Sequence, residues 1–155
     1  MTGAMSHDFP LDALAYATLL REALDQIGRW TWPVQGLSMY PTLLPGSVID
    51  VVPLKSPPKP GDIVIFVQDG RILSHRIVDY KQHGWITLGD ANRFPDPPIK
   101  FDNIIGHVST ARLGPYIIWH DNMPKTRWVL RYHILRILQG LRVGFFSFFI
   151  RFPLN

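Results

Sequence analysis

The sequence predicts a mainly β protein in which an antiparallel sheet or small barrel lies between an N-terminal and a C-terminal helix. Short β-branched runs fill the centre of the chain, and turn residues separate them. Ten of the fourteen prolines fall between residues 33 and 98, where no helical periodicity is present. Parallel strands need long, usually helical, crossovers, whereas antiparallel strands need only short turns. The pattern therefore favours antiparallel pairing.

The first periodic segment, residues 11–27, is predicted to be an amphipathic helix. Asp8 and Pro10 precede it as start signals, and Gly28 follows it as a stop signal. Residues 1–30 carry four acidic side chains and two arginines, so a membrane span is not predicted there. The apolar face of the helix consists of Tyr16, Leu20, Leu24 and Ile27.

Six short runs in the centre of the chain are predicted to be strands. The aromatic segment that precedes them, Trp30–Pro33, is interpreted as a lead-in. The sequence is therefore divided into three regions: an N-terminal helical segment (1–32), a β domain (33–120) and a basic amphipathic C-terminal helix (121–155). The predicted strands are Val48–Val52, Ile63–Val67, Ile72–Val78, Trp85–Leu88, Ile104–Arg112 and Tyr116–Trp119.

Composition limits the classes of protein to be considered. A chain of 155 residues is long enough for one domain, and 46% apolar against 18% charged residues is not a disordered composition. The chain has no cysteine, which excludes disulfides and thiolate chemistry. No basic segment followed by an apolar run opens the sequence, so a secretory signal is not predicted. We expect a cytoplasmic or peripherally membrane-associated protein, and the side of the membrane that its site faces stays open.

The net charge of +4 is concentrated in the last part of the chain. Residues 31–124 hold eight basic and eight acidic side chains, whereas residues 125–155 hold six basic ones and no acid. The neutral centre argues against a nucleic-acid partner. The longest uncharged stretch of the tail, Val143–Ile150, has eight residues and is too short to span a membrane. Residues 126–152 therefore predict either a helix at a membrane surface or one docked on the protein's own sheet or on a second subunit.

The segment from residue 34 to residue 46, called here the serine segment, is the most informative part of the chain. Its sequence is V-Q-G-L-S-M-Y-P-T-L-L-P-G, with Ser38 between Leu37 and Met39. Gly36 allows the backbone to approach a bound peptide closely, and Pro41 restricts the chain after the serine. The Ser38 N–H is then a natural donor to an oxyanion.

The serine segment resembles the nucleophile motif of the signal peptidase I family, G-x-S-M-x-P-T-L-x-x-G-D, with Met39 at the motif's methionine. Only the final position differs, where Ser47 replaces aspartate. The resemblance implies that Ser38 is the nucleophile of a serine endopeptidase with an antiparallel β fold. Gly36 has no hydroxyl, so the oxyanion hole would consist largely of main-chain N–H groups.

A serine nucleophile needs a general base, and His75 is the candidate. The run from Gly61 to Phe66, G-D-I-V-I-F, resembles the family's next motif, and the returning strand carries Ser74-His75-Arg76-Ile77-Val78. That string is similar to the V-H-R-V of the endoplasmic-reticulum and archaeal branch, which has histidine where typical bacterial members have lysine. An ordinary histidine has a pKa of about 6.5 and can accept a proton near neutrality. Strand alternation places His75 on the face of Leu73 and Ile77, with Ser74 and Arg76 on the opposite face.

A histidine base needs an acceptor for its other ring nitrogen. Residues 88–96, called here the aspartate turn, read L-G-D-A-N-R-F-P-D and resemble the K-G-D-N-N-x-x-x-D motif of the same branch. The resemblance implies that Asp96 is the third catalytic residue and that Asp90 supports the turn. Either carboxylate could accept from the histidine. A closing run, Asn103–Val108, is similar to the family's I-I-G-x-V strand.

The resemblance implies cleavage of an extended peptide after small residues through an acyl-enzyme, and a leader or precursor protein as substrate. Two alternatives remain: a non-catalytic peptide-binding module of the same fold, and a self-cleaving LexA-type domain. The latter class uses a lysine base and carries a DNA-binding head, for which residues 1–30 are too short. His83, His107, His120 and His133 show no metal-ligand spacing, so neither a metal nor a cofactor is predicted. The oligomeric state stays open.

Overall fold

The computed structural model describes residues 13–82, residues 84–125, Leu130 and residues 132–134. Helix α1 spans Ala13–Ile27, as the periodicity predicts. Gly28 ends it with a left-handed φ of 78°, and its N–H donates to the Leu24 carbonyl at 2.8 Å. A glycine at this position caps the helix because it adopts positive φ without strain.

Seven strands form one sheet, and every pairing in it is antiparallel, which confirms the predicted mainly β fold. All six predicted strands are present, with ends that differ by at most a few residues. A short 3₁₀ helix, Phe101–Asn103, precedes β6. The strands are β1 Trp30–Pro33, β2 Val48–Val52, β3 Ile63–Gln68, β4 Arg71–Lys81, β5 Gly84–Leu88, β6 Ile104–Leu113 and β7 Tyr116–His120.

Strand β1 was not predicted, since Trp30–Pro33 was interpreted as a lead-in. It pairs with β2, Trp30 opposite Val51 and Pro33 opposite Val48. The strand order is β1-β2-β6-β3-β4-β5, with β7 also paired to β6, so β1 lies at one end of this series. Proline is compatible with an edge strand because its missing N–H then faces away from the ladder. The run is too short, at four residues, for its alternation of half-buried and exposed side chains to have identified it.

Helix α1 packs against one face of the sheet. Leu24 is fully buried with Ile65 and Ile105 in the largest apolar cluster. A Cβ on Gly106 of β6 would lie 2.6 Å from the Leu24 side chain and 2.8 Å from the Val52 carbonyl, so the close approach of helix and sheet requires glycine there. The helical segment and the β domain thus share one core.

Two smaller clusters lie on different faces of the sheet. One contains Phe66 and Ile77 and lies on the face opposite α1. The other joins Val78, Ile86 and Leu88 with Tyr132 and lies on the α1 side, because Leu88 pairs with Arg76 and Arg76 pairs with Ile63 of the largest cluster. Tyr132 lies in the predicted C-terminal helix; Leu130 and residues 132–134 are helical, and the rest of residues 126–155 lies outside the described residues. Within the described part of the chain, no helix has the length and apolar character needed to cross a membrane.

Candidate active site

A cavity of about 480 Å³ lies between the serine segment and the sheet. Strand β1 and the chain that continues it, residues 30–36, form one wall. The rings of Trp30 and Trp32 meet edge to face there, with centroids 5.8 Å apart. Ser38 lines the cavity beside Leu73 and Ser74 of β4. The apolar floor and remaining walls consist of Met39, Leu43, Ile49, Ile65 and Ile72.

Local turns hold Ser38 at the edge of this cavity. Gly36 adopts a φ of 81°, a conformation that L side chains rarely adopt, and the chain then turns through hydrogen bonds from Tyr40 N–H to the Leu37 carbonyl and from Leu43 N–H to the Met39 carbonyl. Met39 is buried in the core, whereas Leu37 is 64% exposed. Ser38, half-buried between them, therefore sits where the segment passes from solvent into the core.

The aspartate turn supports the serine segment from the other side. The Ala91 N–H donates to the Ser38 carbonyl at 2.8 Å. A Cβ on Gly89 would lie 2.6 Å from that same carbonyl oxygen, so only glycine fits. This contact ties the chain on both sides of Asp90 to the main chain of Ser38. The position of the serine thus depends on a turn that follows it by about fifty residues.

His75 of β4 is buried and contacts Asp96. Its Nδ1 lies 2.6 Å from Asp96 Oδ2, and the exposed fractions of the two side chains are 6% and 16%. The Thr87 hydroxyl donates to the same carboxylate oxygen at 2.7 Å, and the Asp96 N–H donates to the Thr87 carbonyl. An ionised carboxylate only accepts hydrogen bonds, so Nδ1 carries the proton and Nε2 holds the lone pair. A base in this tautomer can accept a proton from a serine hydroxyl.

Arg76, on the opposite face of β4, binds Asp90. Its guanidinium donates to both carboxylate oxygens, at 2.9 and 2.7 Å, in a pair that is almost completely buried. The same guanidinium donates to the Gly61 carbonyl at 2.8 Å and reaches the Thr42 hydroxyl at 3.4 Å. Arg76 therefore connects the aspartate turn, the turn before β3 at Gly61, and the serine segment.

The structure thus assigns the two carboxylates of the aspartate turn to different partners. Asp96 contacts His75, and Asp90 contacts Arg76. Ser38 Oγ, in contrast, makes no hydrogen bond to His75, both residues being in the described part of the chain. Ser74, which precedes His75 and faces the other side of β4, lines the same cavity as Ser38. Catalytic hydrogen bonds are often long before substrate binds.

Several residues of this site were not singled out from the sequence. Thr87 and Arg76 carry no signal of their own, because a threonine and an arginine in strands are ordinary until their partners are known. Ser74 and the tryptophans of β1 likewise acquire meaning only beside the cavity. His107 lies 3.8 Å from Asp121 in a partly exposed pair outside the cavity. Within the described part of the chain, no cluster of three or more histidine, aspartate or glutamate side chains could hold a metal ion.

No protein-family model matches this chain, and no curated protein matches it. The case for its function therefore depends on the residues and their geometry.

Proposed function

We propose that the chain is a serine endopeptidase of the signal peptidase I type, with Ser38 as nucleophile, His75 as general base and Asp96 as the residue that orients the histidine. The observation that carries the proposal is the 2.6 Å contact between His75 Nδ1 and Asp96 Oδ2, made by a buried imidazole on β4 whose neighbour in the chain, Ser74, lines the cavity with Ser38. The contact leaves Nε2 as the basic nitrogen.

In the proposed reaction, His75 Nε2 takes the proton of Ser38 as its Oγ attacks the scissile carbonyl. The oxyanion accepts hydrogen bonds from main-chain N–H groups, among them that of Ser38. His75 then protonates the leaving amine, and an acyl-enzyme remains on Ser38. Water activated by the same histidine hydrolyses the ester. Asp96 stabilises the imidazolium that forms in each half-reaction.

The cavity and strand β1 support an extended peptide as substrate. β1 ends the series of paired strands beyond β2, and the cavity is lined by its whole length. A peptide can add to a strand edge through main-chain hydrogen bonds while alternate side chains enter the cavity. We propose a leader or signal-like segment of a precursor protein, cut after small residues.

We further propose that residues 126–152 bring the enzyme to a membrane surface. Tyr132 is 3% exposed on the sheet, while its neighbours Leu130 and Ile134 are 56% and 46% exposed. One side of this short helical stretch therefore packs on the protein and another presents apolar side chains outward. Six basic residues between 125 and 155 add attraction to anionic lipid.

Acylation of Ser38 tests the proposed function. A fluorophosphonate or a penem should add its mass to the wild-type protein and leave Ser38→Ala unmodified. Ser56→Ala is the matched control, since Ser56 is exposed in the loop before β3 and outside the cavity; it should be labelled like the wild type. A peptide library with small residues before the scissile bond should be cut by the wild type and by Ser56→Ala but not by Ser38→Ala.

The alternative is a non-catalytic peptide-binding module. It is favoured by one observation, the lack of a hydrogen bond between Ser38 Oγ and His75 within the described residues. A module of that kind would bind extended peptides with equal affinity in wild type and Ser38→Ala. It would show neither probe labelling nor cleavage in either protein. That combination would replace the peptidase proposal.

A further inference from the structure

Ser74 carries a hydroxyl that the protein itself does not use. Its Oγ is shielded from solvent and, within the described part of the chain, is the buried side-chain polar atom that has no hydrogen-bond partner. Ser74 lies on β4 opposite Ile65 of β3, directly before His75. It lines the same cavity as Ser38. An unsatisfied buried hydroxyl is costly, so its presence beside a reactive serine calls for a partner from outside the protein.

The surroundings of Ser74 define the chemistry of that partner. The cavity walls near it are apolar, formed by Ile65, Ile72 and Leu73, and none of the lining residues, all of them described, is charged. A charged substrate group would lose its hydration there without gaining a counter-charge. A hydroxyl both donates and accepts, so it can pair with an alcohol or with an amide. The site suits a side chain that is small, uncharged and polar.

We propose that Ser74 is a specificity residue for the cleavage reaction, an inference that rests on the proposed peptidase function. The cavity accepts a substrate residue of the serine, threonine or asparagine type, whose polar group forms a hydrogen bond with the Ser74 hydroxyl. The partner reaches Oγ by rotation of the serine about its single side-chain torsion, which has three staggered positions of similar energy. The substrate is therefore a peptide with a small polar residue near the scissile bond rather than one with small apolar residues throughout.

The preference follows from the cost of leaving Ser74 unpaired. A substrate residue with the same shape but no polar group fills the cavity and keeps the hydroxyl away from any partner. The resulting discrimination in kcat/KM between threonine and the isosteric valine is about 5- to 100-fold. Removing the hydroxyl from the enzyme removes the discrimination, because an apolar wall then faces either side chain.

The test uses the full chain and peptides that differ by one threonine-to-valine exchange at each of the four positions before the cleaved bond. Mass spectrometry locates the bond, and kcat/KM is measured for each pair. Wild type should prefer threonine at one position by about 5-fold or more. Ser74→Ala should lose that ratio and cut the valine peptide at least as well as the wild type does. Ser74→Thr keeps a hydroxyl and should keep the preference.

Ser56→Ala controls for the loss of a serine outside the cavity, and penem labelling of Ser38 confirms that each variant has an intact site. An equal threonine-to-valine ratio in wild type and Ser74→Ala, with normal labelling and cleavage, overturns the role of Ser74 and leaves the peptidase proposal standing. A wild type that is neither labelled at Ser38 nor able to cut any peptide overturns the peptidase proposal and this inference with it.

Discussion

At the scale of single residues, the contact between His75 and Asp96 decides what the site can do. The carboxylate fixes which ring nitrogen holds the proton, and the Thr87 hydroxyl holds the carboxylate in place. Because the imidazole is buried, water does not compete for its hydrogen bond to Asp96, and hydrogen bonds are stronger where solvent is excluded. Each member of the set can be changed without a large change in volume.

Replacing the orienting carboxylate should reduce turnover far more than it reduces stability. We expect Asp96→Asn to lower kcat by about 10²- to 10⁴-fold, because an amide that donates to Nδ1 imposes the wrong tautomer on His75. Thr87→Val, which removes one hydrogen bond to the carboxylate, should have a smaller effect in the same direction. Peptide cleavage and circular dichroism would be compared for the three proteins. A folded Asp96→Asn enzyme with unchanged kcat would contradict the role of Asp96.

The proposed base also predicts how activity depends on pH. A protonated imidazole cannot accept the proton of Ser38, so kcat/KM should decrease towards acidic pH and reach a plateau on the alkaline side. The measurement is kcat/KM between about pH 5 and pH 8, together with the rate of penem acylation in the same buffers. A flat profile over that range in both assays would argue against a histidine base.

At the scale of elements, strand β4 presents consecutive side chains, His75 and Arg76, to opposite faces of the sheet. His75 faces the carboxylate of Asp96 on one side of the sheet, and Arg76 faces that of Asp90 on the other. Both aspartates come from the aspartate turn, which follows β5, the neighbour of β4. Because of this arrangement, one turn both orients the base and, through Ala91, holds the main chain of Ser38.

The pair on the structural side of β4 should contribute strongly to stability. We expect Asp90→Ala to lower the free energy of unfolding by about 3–5 kcal/mol, because it leaves the guanidinium of Arg76 buried without a counter-charge. The matched control is Lys125→Ala, which breaks a partly exposed pair with Asp62 and should cost about 0–1 kcal/mol. Urea unfolding of both variants gives the comparison. Equal losses would show that burial of the Arg76 pair does not set its contribution.

At the scale of the whole molecule, the described part of the C-terminal segment packs on the β domain. Lys125 forms a 2.7 Å ion pair with Asp62, and Tyr132 packs on Val78 of β4 and on Ile86 and Leu88 of β5. The segment also acts on Asp79 of β4. Burial raises the pKa of this carboxyl, but hydrogen bonds from the Lys81 side chain and the Tyr80 N–H lower it. The positive charges of Lys81 and His133, the latter in the C-terminal segment, lower it further, and the pKa of Asp79 is below its ordinary value. The sequence left two positions for this helix open, and the described part of it lies on the protein's own sheet.

Membrane contact by residues 126–152 can be tested by a truncation and by point changes that leave Tyr132 on the sheet. The wild type should float with anionic liposomes, and a truncation before Thr126 should not. Leu130→Ser combined with Ile134→Ser changes exposed side chains only and should weaken flotation in the full chain. Tyr132→Ala serves as the control for loss of docking, detected as a lower melting temperature. Equal flotation of wild type and truncation would exclude the interfacial helix.

Much of the fold was predictable because it depends on local patterns. Helix α1, all six predicted strands and the stop at Gly28 follow from periodicity and from turn residues. Strand β1 was missed because four residues carry too little alternation to distinguish a strand from a lead-in. The serine and histidine were identified from motifs that surround them, whereas Thr87 and Arg76 were not, since their partners lie about 10 to 35 residues away in the chain.

The sequence by itself determined the mainly β fold, the helix before it, and the three side chains Ser38, His75 and Asp96 as one candidate set. Only the tertiary structure decided which aspartate meets His75, because strand alternation and sheet register set the distance between a residue of β4 and one after β5. It also placed Ser74, whose hydroxyl has no partner among the described residues, in the same cavity as Ser38. Residue type reflects local chemistry, but the pairing of side chains is a property of the packed sheet.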